Sequence, residues 1–552
     1  MPIDRPALPW LTYFMCSFPA WGGVLFGYDS GYIAGVIGMN QFKKDFGRPS
    51  TLDEAYEGML YEAWQKSLIV SILSAGTFFG ACTAGYFADW IGRRATILLG
   101  CAVYTIGVAL QIASDSSIGL LAAGRGVAGL GVGFISAANV MYISEVSPKQ
   151  IRGLSMGCYQ VSIFCLPTPP VLHRHQVHDT YGLEQFAITI GLFLAACITY
   201  GTQHREDSGA YRIPISLQFV WVLILSLGML SLPESPRFYV RKGNDKKARS
   251  CLAKLRRQSV SSLCILEEHA ELVRCYMREV DAGAGAGRWL DCFTGGFTTG
   301  SNLHRTLIGA GVQIAQQLSE ASSQFTLREP TDAILAGVNF IFYFGTTFFQ
   351  TIGINQPFII SVILSTVNVV ATPPALYLID KWGRRPLLIY GGILMSVCQI
   401  IVAIVGTAVY SSAAVLITFI CLYIVFFAST WGPTGWAVTG DIFPLPIRSK
   451  GIAMSTASNW LMNFIIAFIT PYLVDEDKAN LGPKVFFIFG GCCALCVVFA
   501  YLNVFETKGL ELEDIDTMVK ESKPWSSAKW IRRHRATAGI ELPESLKVSS
   551  PL

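Results

Sequence analysis

Long apolar runs separated by short polar segments make up most of the chain between residues 11 and 505. A helix needs about 20 residues to cross the roughly 30 Å of hydrocarbon in a bilayer. Twelve segments meet this requirement, and two of them are interrupted, so the pattern predicts twelve membrane-spanning helices. The predicted helices are 11–38, 66–88, 96–113, 118–144, 186–201 with a contribution from 154–160, 214–232, 306–318 joined to 337–352, 358–379, 386–409, 414–438, 452–473 and 484–505.

The composition agrees with this pattern. Of the 552 residues, 52% are hydrophobic and only 14% are charged, which is more apolar surface than a soluble chain could bury. We therefore predict an all-α membrane protein. The 15 cysteines lie mostly within the apolar runs without metal-ligand spacing, which indicates small buried residues rather than a disulfide framework. The polar, proline-rich start of the chain predicts no cleavable signal peptide.

A short polar hinge occurs twice between apolar runs. It reads Asp89-Trp90-Ile91-Gly92-Arg93-Arg94 after the second predicted helix and Asp380-Lys381-Trp382-Gly383-Arg384-Arg385 after the eighth. Glycine permits a tight turn between helices. The arginines stay on the cytoplasmic side, where they can hold a carboxylate or the end of a neighbouring helix. Two copies of such a hinge predict a duplicated membrane protein.

A second repeated motif predicts the same duplication. An acid followed seven residues later by arginine ends the fourth and the tenth helix, as Glu145 with Arg152 and as Asp441 with Arg448. The hinge arginines lie on the same side as the basic segment 233–305, so the positive-inside rule places both termini in the cytoplasm. The predicted domains are a cytoplasmic N-terminus 1–10, a six-helix half 11–232, cytoplasmic linker helices 233–305, a second six-helix half 306–505 and a polar, mobile cytoplasmic tail 506–552.

One acid lies well inside the first apolar run. Asp29 would cost roughly 2.5–3.5 kcal/mol as an unpaired ion in the membrane, so it must be paired, protonated or functional. Arg125, near the start of the fourth run, is its natural partner. The pair is either a site that takes up and releases a proton or a static ion pair that holds two helices together.

Several amide side chains also lie inside apolar runs. An amide both donates and accepts hydrogen bonds, which suits a polyol ring, although a single buried amide is as often a packing contact between helices. Trp436 offers an apolar face to the C–H groups of a sugar, and Phe26 and Tyr343 are weaker candidates. The candidate amides are Gln160 (or Gln185), Gln316, Gln317, Asn339, Asn368, Asn459 and Asn463.

Specific motifs make the chain recognisable. It resembles the sugar porter family of the major facilitator superfamily over about residues 10 to 515, most closely the hexose transporters of filamentous fungi. Pro233-Glu-Ser-Pro-Arg237 is a highly specific mark of this family, whereas Phe505 stands where many members have proline. The other matching motifs are Phe26-Gly-Tyr-Asp29, Gly124-Arg-Gly126, Gln316-Gln-Leu318, Gly337-Val-Asn339 and Glu506-Thr-Lys-Gly509.

The resemblance implies roles for these residues. Asp29 would carry the coupling proton, and Arg125 would tune the pKa of Asp29. The sugar-binding motif of the family is matched by Gln316, Gln317, Asn339 and Asn368. A further set would form cytoplasmic gate pairs that close in the outward-facing state and separate when the halves rock. This set is Asp89, Arg93, Arg94, Glu145, Arg152, Glu234, Arg237, Asp380, Arg384, Arg385, Asp441 and Arg448.

The predicted function is proton-coupled import of a hexose by alternating access across the plasma membrane. The expected partners are the sugar, protons and the lipid bilayer, for a protein that works as a monomer without cofactor, metal, nucleic acid or catalytic residues. One alternative is a sugar sensor of the same fold without net transport, for which the tail after Phe505 is short. The other is a porter for a pentose, a polyol or quinate.

Two segments disrupt predicted helices. Residues 161–185 place prolines, charges and the histidines His173, His175 and His178 in the fifth helix, and residues 319–336 place charges and Pro330 in the seventh. Such residues break a spanning helix and leave backbone groups unsatisfied in lipid. Both segments can be encoded with splice-like boundaries, so we predict two translated introns, and hence no histidine metal site. The alternative is a pair of loops that bulge from the helices.

Overall fold

A computed structural model describes the parts of the chain that form the helices and most of their connections. The described residues are 18–19, 21–49, 59–146, 182–281, 289–298, 300–319, 338–351, 356–408, 413–444, 447–474, 485–510 and 512–537. Most of both segments predicted to be introns, 161–181 and 320–336, lies outside the described residues.

The described part of the first half is helical apart from one pair of short strands. Strands β1 (Arg48–Pro49) and β2 (Met59–Leu60) pair in antiparallel register. The helices are α1 (Trp21–Gly38), α2 (Asn40–Phe46), α3 (Ala63–Trp90), α4 (Arg93–Ile112), α5 (Ile118–Val146), α6 (Gly182–Thr202), α7 (Gly209–Ser216) and α8 (Gln218–Ser231).

Short helices join this half to the second. The linker contains α9 (Pro236–Arg241), α10 (Asp245–Arg256), α11 (Leu263–Asp281) and the 3-10 turn Trp289–Phe293. The second half and the tail contain α12 (Asn302–Ser319), α13 (Val338–Thr351), α14 (Pro357–Ala371), α15 (Pro373–Trp382), α16 (Arg384–Ala408), α17 (Ala413–Ser429), α18 (Trp431–Asp441), α19 (Arg448–Val474), α20 (Val485–Asn503), α21 (Leu512–Glu521), the 3-10 turn Pro524–Ser526 and α22 (Ser527–Thr537).

The described helices account for a twelve-helix membrane fold. Nine segments within the described residues are long and apolar enough to cross a bilayer by length and composition. Three more positions are filled by α1, by α6 and by α12 with α13. The predicted fold class is therefore confirmed. The eighth and tenth spans are each broken in the middle, at Thr372 before two prolines and at Thr430, so each consists of two shorter helices.

Both predicted hinges are tight turns that require glycine. Gly92 has φ 101° and Gly383 has φ 94°, in the left-handed region that side chains disfavour. A Cβ atom at Gly92 would overlap the carboxylate of Glu234, and one at Gly383 would overlap the carboxylate of Glu506. Each hinge glycine therefore permits both the turn and the close approach of an acid.

Packing follows the same plan in both halves. Helices α3 and α4 pack against α5, while α1 packs against α6. In the second half, α16 packs against α20 and α17, and α12 packs against α19. The halves meet where α3 contacts α19, α1 contacts α13 and α6 contacts α14.

The tail differs from its prediction as a polar, mobile segment. Helices α21 and α22 are packed against the second half, and Ile515, Met518 and Ile531 are buried. Arg305 at the start of α12 is only 1% exposed, and its guanidinium pairs with Asp516 at 2.7 Å. The amphipathic spacing of the buried positions explains the packing, because it gives each tail helix one apolar face.

Candidate functional site

A cavity of about 690 Å³, including its opening to solvent, lies between the two halves. The first half contributes side chains from α1 and α6, and the second half contributes side chains from α12, α13, α14, α17, α18 and α19. The lining residues are Phe26, Ser30, Ile188, Leu192, Gln316, Gln317, Phe342, Tyr343, Asn368, Phe427, Trp436, Asn459, Trp460 and Asn463.

Buried amides on α12 and α19 form one hydrogen-bonded group. Asn459 Nδ2 donates to Gln313 Oε1 at 2.8 Å and to Gln316 Oε1 at 3.2 Å. Gln316 Nε2 donates in turn to the carbonyl oxygen of Gly432 at 2.7 Å, at the break between α17 and α18. Because each amide is held by another buried group, the polar surface offered to a ligand is ordered before the ligand arrives.

Asn463 connects the two halves beside the cavity. Its Nδ2 donates to Gln317 Oε1 at 2.9 Å, and its Oδ1 accepts from Ser74 Oγ at 2.6 Å and from the Tyr343 hydroxyl at 3.4 Å. Ser74 lies on α3 of the first half, whereas the other three residues belong to the second half. A ligand that changes the bonding of Asn463 therefore acts on a contact between the halves.

The cavity combines an unpaired acceptor with aromatic walls. Asn368 is 1% exposed, and its Oδ1 has no hydrogen-bond partner among the described residues. Phe26 and Trp460 meet edge to face with centroids 5.1 Å apart, which closes one side between the halves. Trp436 supplies a further aromatic wall. Aromatic faces for C–H groups next to buried amides for hydroxyls suit a small polyhydroxylated ligand.

Asp29 directly precedes Ser30, a residue of the cavity wall, and pairs with Arg125. Asp29 is fully buried, and its Oδ1 lies 3.9 Å from Arg125 Nη1. Neither carboxylate oxygen has a hydrogen-bond partner among the described residues. Arg125 instead donates to the carbonyl oxygen of Ile69 at 2.6 Å and to the hydroxyl of Tyr32 at 2.7 Å. The acid is thus near a cation without being bound to it.

The first hinge is held by ion pairs and helix ends. Arg93 lies 3.2 Å from Asp89 and 3.2 Å from Glu145. Glu234 accepts hydrogen bonds from the backbone N–H groups of Arg93 and Arg94, at the start of α4. The Arg94 guanidinium donates to the carbonyl oxygens of Met229 and Leu230 at the end of α8.

The second hinge repeats this arrangement with different residues. Glu506 accepts from the backbone N–H groups of Arg384 at 3.1 Å and Arg385 at 3.2 Å. Arg385 donates to the carbonyl oxygen of Tyr501, and Arg384 lies 3.7 Å from Asp441. Sequence reasoning missed Glu506 as a hinge residue. Its position in Glu-Thr after the twelfth helix, parallel to Glu-Ser after the sixth, was the signal that could have found it.

The described contacts of these gate candidates lie within one half or join a half to the linker or tail that follows it, as Asp89 pairs with Arg241 of the linker at 3.0 Å. Arg448 Nη2 donates to the carbonyl oxygen of Gly440 at 3.0 Å, and Arg237 is partly buried on α9. Opening and closing of the set between the halves stays a prediction. Arg152 and Gln160 lie outside the described residues, as do the side chains of Gln185, Asn339 and Asp380.

Sequence reasoning also missed residues that hold the predicted ones. Gln313 orients Asn459, Ser74 bonds to Asn463, and Tyr32 takes a hydrogen bond from Arg125. Gln313 lies one turn before Gln316 on the same helix face, so its spacing was a signal. Ser74 gave no such signal, since its partner lies on a distant helix of the other half.

The geometry agrees with the comparison of the whole chain to known protein families. The family model described as "Sugar (and other) transporter" matches residues 15–165, 177–328 and 333–519. The chain belongs to this sugar transporter family. The resemblance predicted from the sequence is therefore confirmed. The family is one of transporters rather than enzymes.

Individual relatives cover nearly the whole transporter. The major facilitator-type transporter ecdD of Aspergillus rugulosus is 43% identical over 94% of this chain and 90% of its own. The high glucose sensor RGT2 of Saccharomyces cerevisiae is 38% identical over 94% of this chain, which spans 62% of that protein. The solved structure of the proton:xylose symporter XylE bound to 6-bromo-6-deoxy-D-glucose has TM-score 0.69 and 22% identity, covering 92% of this chain and 99% of its own, which supports the fold.

Proposed function

We propose that this transporter carries a hexose across the plasma membrane together with a proton, by alternating access of one cavity to the two sides. The observation that carries the proposal is the cavity between the halves, with buried amides, aromatic walls and an acid next to the lining residue Ser30. Binding at the interface of two halves is the arrangement that a rocking transporter requires.

The amides support a sugar as the substrate. Gln316, Gln317, Asn459 and Asn463 together present both donors and acceptors, as the hydroxyls of a sugar ring do. An anionic substrate would need a cation in the cavity wall, and the lining contains no lysine or arginine among the described residues. A relative is named as a glucose sensor, and the compared XylE structure contains a glucose derivative.

The position of Asp29 supports coupling to protons. A fully buried carboxylate that has a cation at 3.9 Å but no hydrogen bond from the described residues is poised to gain or lose a proton when that distance changes. Phe26 and Ser30, on the same helix as Asp29, line the cavity. Movement of α1 on sugar binding would therefore alter the proton site. XylE is named as a proton symporter, which is consistent with this proposal.

Charge distribution supports the proposed orientation. The hinges that carry Arg93, Arg94, Arg384 and Arg385 lie at the same membrane surface as the linker helices and the tail. By the positive-inside rule this surface faces the cytoplasm, with both termini on that side. Since each transporter half provides its own part of the cavity, one chain in a lipid bilayer is sufficient for function.

A sensor of the same fold is the second candidate, because RGT2 is among the similar proteins. A sensor would bind sugar in the same cavity but would not move it across the membrane. Uptake of radiolabelled hexose by a transporter-deficient host separates the two functions, with competing sugars to define the substrate. We expect accumulation that an uncoupler abolishes. Sugar binding without uptake would identify a sensor, and uptake that ignores the uncoupler would identify a uniporter.

A further inference from the structure

The last helix of the tail, α22, has a sharply divided surface. Ser527 and Ile531 are buried, and Trp530 and His534 are partly buried, so one face is turned toward the protein. Lys529, Arg532 and Arg533 are exposed on the opposite face, here called the basic face. The helix, Ser-Ala-Lys-Trp-Ile-Arg-Arg-His-Arg-Ala-Thr, contains no acidic residue. The basic face therefore carries three positive charges on adjacent turns.

The two described acidic residues that contact α22 lie on its inner side. Glu521 accepts a hydrogen bond from Trp530 Nε1 at 3.0 Å, and Asp514 lies 3.5 Å from His534 Nε2. Among the described residues, Lys529 and Arg532 form no ion pair with a protein carboxylate. Within the part of the chain that the structure describes, these two cations are therefore available to a partner outside the chain.

The first residue of α22 is fixed close to the membrane surface. The backbone N–H of Glu506 donates to Ser527 Oγ at 3.0 Å, and α20 ends at Asn503, three residues before Glu506. Exposed aromatic residues with adjacent cations indicate that this region lies at the membrane surface. Arg385 lies over Tyr501 at 5.1 Å, and Lys381 lies over Tyr377 at 5.2 Å. Such pairs are typical of the boundary between hydrocarbon and headgroups.

Trp525 completes this arrangement on the tail itself. Its side chain is 51% exposed, and Lys523 Nζ lies over its ring at 5.4 Å. Because the ring lies two residues before α22, the tail presents an aromatic residue and the basic face together. Tryptophan beside a cluster of cations is the combination that interfacial membrane-binding helices use.

We infer that the basic face and Trp525 bind the phosphate-bearing headgroups of anionic phospholipids in the leaflet next to the tail. Each lysine or arginine near an anionic surface adds to the attraction, so the cations of the basic face act together as one binding site. The tail would then hold the second half to the lipid while the halves rock.

Native mass spectrometry of the full-length protein in mild detergent tests the inference, with phosphatidylserine and phosphatidylcholine of equal acyl chains as probes. We expect preferential binding of phosphatidylserine. The triple variant Lys529→Gln, Arg532→Gln, Arg533→Gln should weaken phosphatidylserine binding about a hundredfold, and phosphatidylcholine binding should not change. Added salt should weaken the wild-type preference, since exposed charges are screened.

Two control variants distinguish lipid binding by the basic face from a general loss of charge and from unfolding. Lys246→Gln, Lys254→Gln, Arg274→Gln removes the same charge from exposed positions of the linker and should leave the preference intact. Arg532→Lys with Arg533→Lys keeps the charge and should keep binding, which excludes unfolding as the cause. Equal binding of the two lipids by wild type, an unchanged triple variant or an equal loss in the linker variant would overturn the inference.

Discussion

Arg125 gives its described hydrogen bonds to the carbonyl oxygen of Ile69 and to the Tyr32 hydroxyl, while Asp29 receives none from the described residues. The Tyr32 hydroxyl itself donates to Gln111 Oε1 at 2.6 Å. Arg125 is therefore held by neighbours that persist when Asp29 changes charge. This geometry favours the proton site over a static ion pair, because a static pair would show direct hydrogen bonds.

We expect Asp29→Asn to abolish uphill uptake of hexose while exchange of sugar continues. The amide fills the same space but cannot release a proton, so the sugar gradient can no longer be driven by protons. Accumulation is measured in reconstituted vesicles with an imposed proton gradient, and counterflow of labelled sugar is the control. Continued accumulation against a sugar gradient would show that coupling lies elsewhere.

Gln317→Ala should raise the half-saturating concentration of sugar about ten- to a hundredfold. Loss of one hydrogen bond to a buried polar ligand costs on the order of 1–3 kcal/mol, and Asn463 would also lose the acceptor that orients it. Gln399→Ala is the matched control, because Gln399 is an equally buried amide that does not line the cavity. If both variants behave alike, the effect reflects packing rather than sugar binding.

Among the helices, the carboxylates Glu234 and Glu506 act as caps for α4 and α16. Each accepts backbone N–H groups at a helix start, where the helix dipole also favours a negative charge. Each follows the last spanning helix of its half, so it ties the hinge to that helix. The hinge motifs were visible in the sequence, but the acid that fills each hinge was visible only through the repeated Glu-Ser and Glu-Thr.

Glu234→Gln and Glu506→Gln should each lower the thermal unfolding midpoint of the purified transporter. A neutral amide keeps one acceptor but loses the charge-assisted bonds, which contribute roughly 1.5–3 kcal/mol each. Glu206→Gln, on an exposed loop, should leave the midpoint unchanged. The capping role would be refuted by midpoints equal to that of the loop variant.

Asp516→Asn should detach the tail from the second half. Arg305 is 1% exposed and would lose the carboxylate that compensates its charge, which is strongly destabilising for a buried cation. Burial would raise the pKa of Asp516, but hydrogen bonding from Lys520 and the charge of Arg305 hold that pKa below its usual range. The stabilisation from this pair is therefore present at neutral pH and is lost as the solution becomes acidic.

Limited digestion with trypsin measures this detachment. Cleavage after Lys520 should become faster in Asp516→Asn than in wild type at neutral pH, where trypsin is active. Asp514→Asn is the matched control, since its partner His534 is partly exposed. Equal cleavage rates of wild type and Asp516→Asn would mean that the tail is held by its apolar contacts alone.

Over the molecule as a whole, the family match is interrupted twice. Residues 166–176 and 329–332 are unmatched, and each gap falls inside a segment predicted to be an intron. At the second gap, α12 ends at Ser319 and α13 begins at Val338, and after the first gap α6 begins at Gly182. Without these segments the fifth and seventh helices would be continuous, and they would fit the twelve-helix fold.

We therefore expect most messenger RNA from this gene to lack the codons of residues 161–185 and nearly all those of 319–336. Their removal would restore Gln-Gln-Leu-Thr-Gly-Val-Asn and would bring Asn339 about one and a half turns from Gln317, next to the cavity. Sequencing of the transcripts decides the matter. Retention of both segments in most copies would show that they are loops of the cellular protein.

The twelve helices, the repeated hinges and the types of side chain that line the cavity could all be predicted from the sequence. Each of these follows from local pattern: apolar length specifies a span, and a polar residue inside a span must have a function or a partner. Gln316, Gln317, Asn368, Asn459 and Asn463 were selected on this ground, and all five line the cavity.

How these residues are paired became visible only in the tertiary structure. Ser74 bonds to Asn463, Tyr32 holds Arg125, and Glu506 fills the second hinge. Each of these contacts joins segments that are distant in sequence. The same is true of the tail, whose composition is polar overall. The spacing of apolar residues gives each tail helix an apolar face, but the surface of the second half that buries this face could be seen only in the tertiary structure.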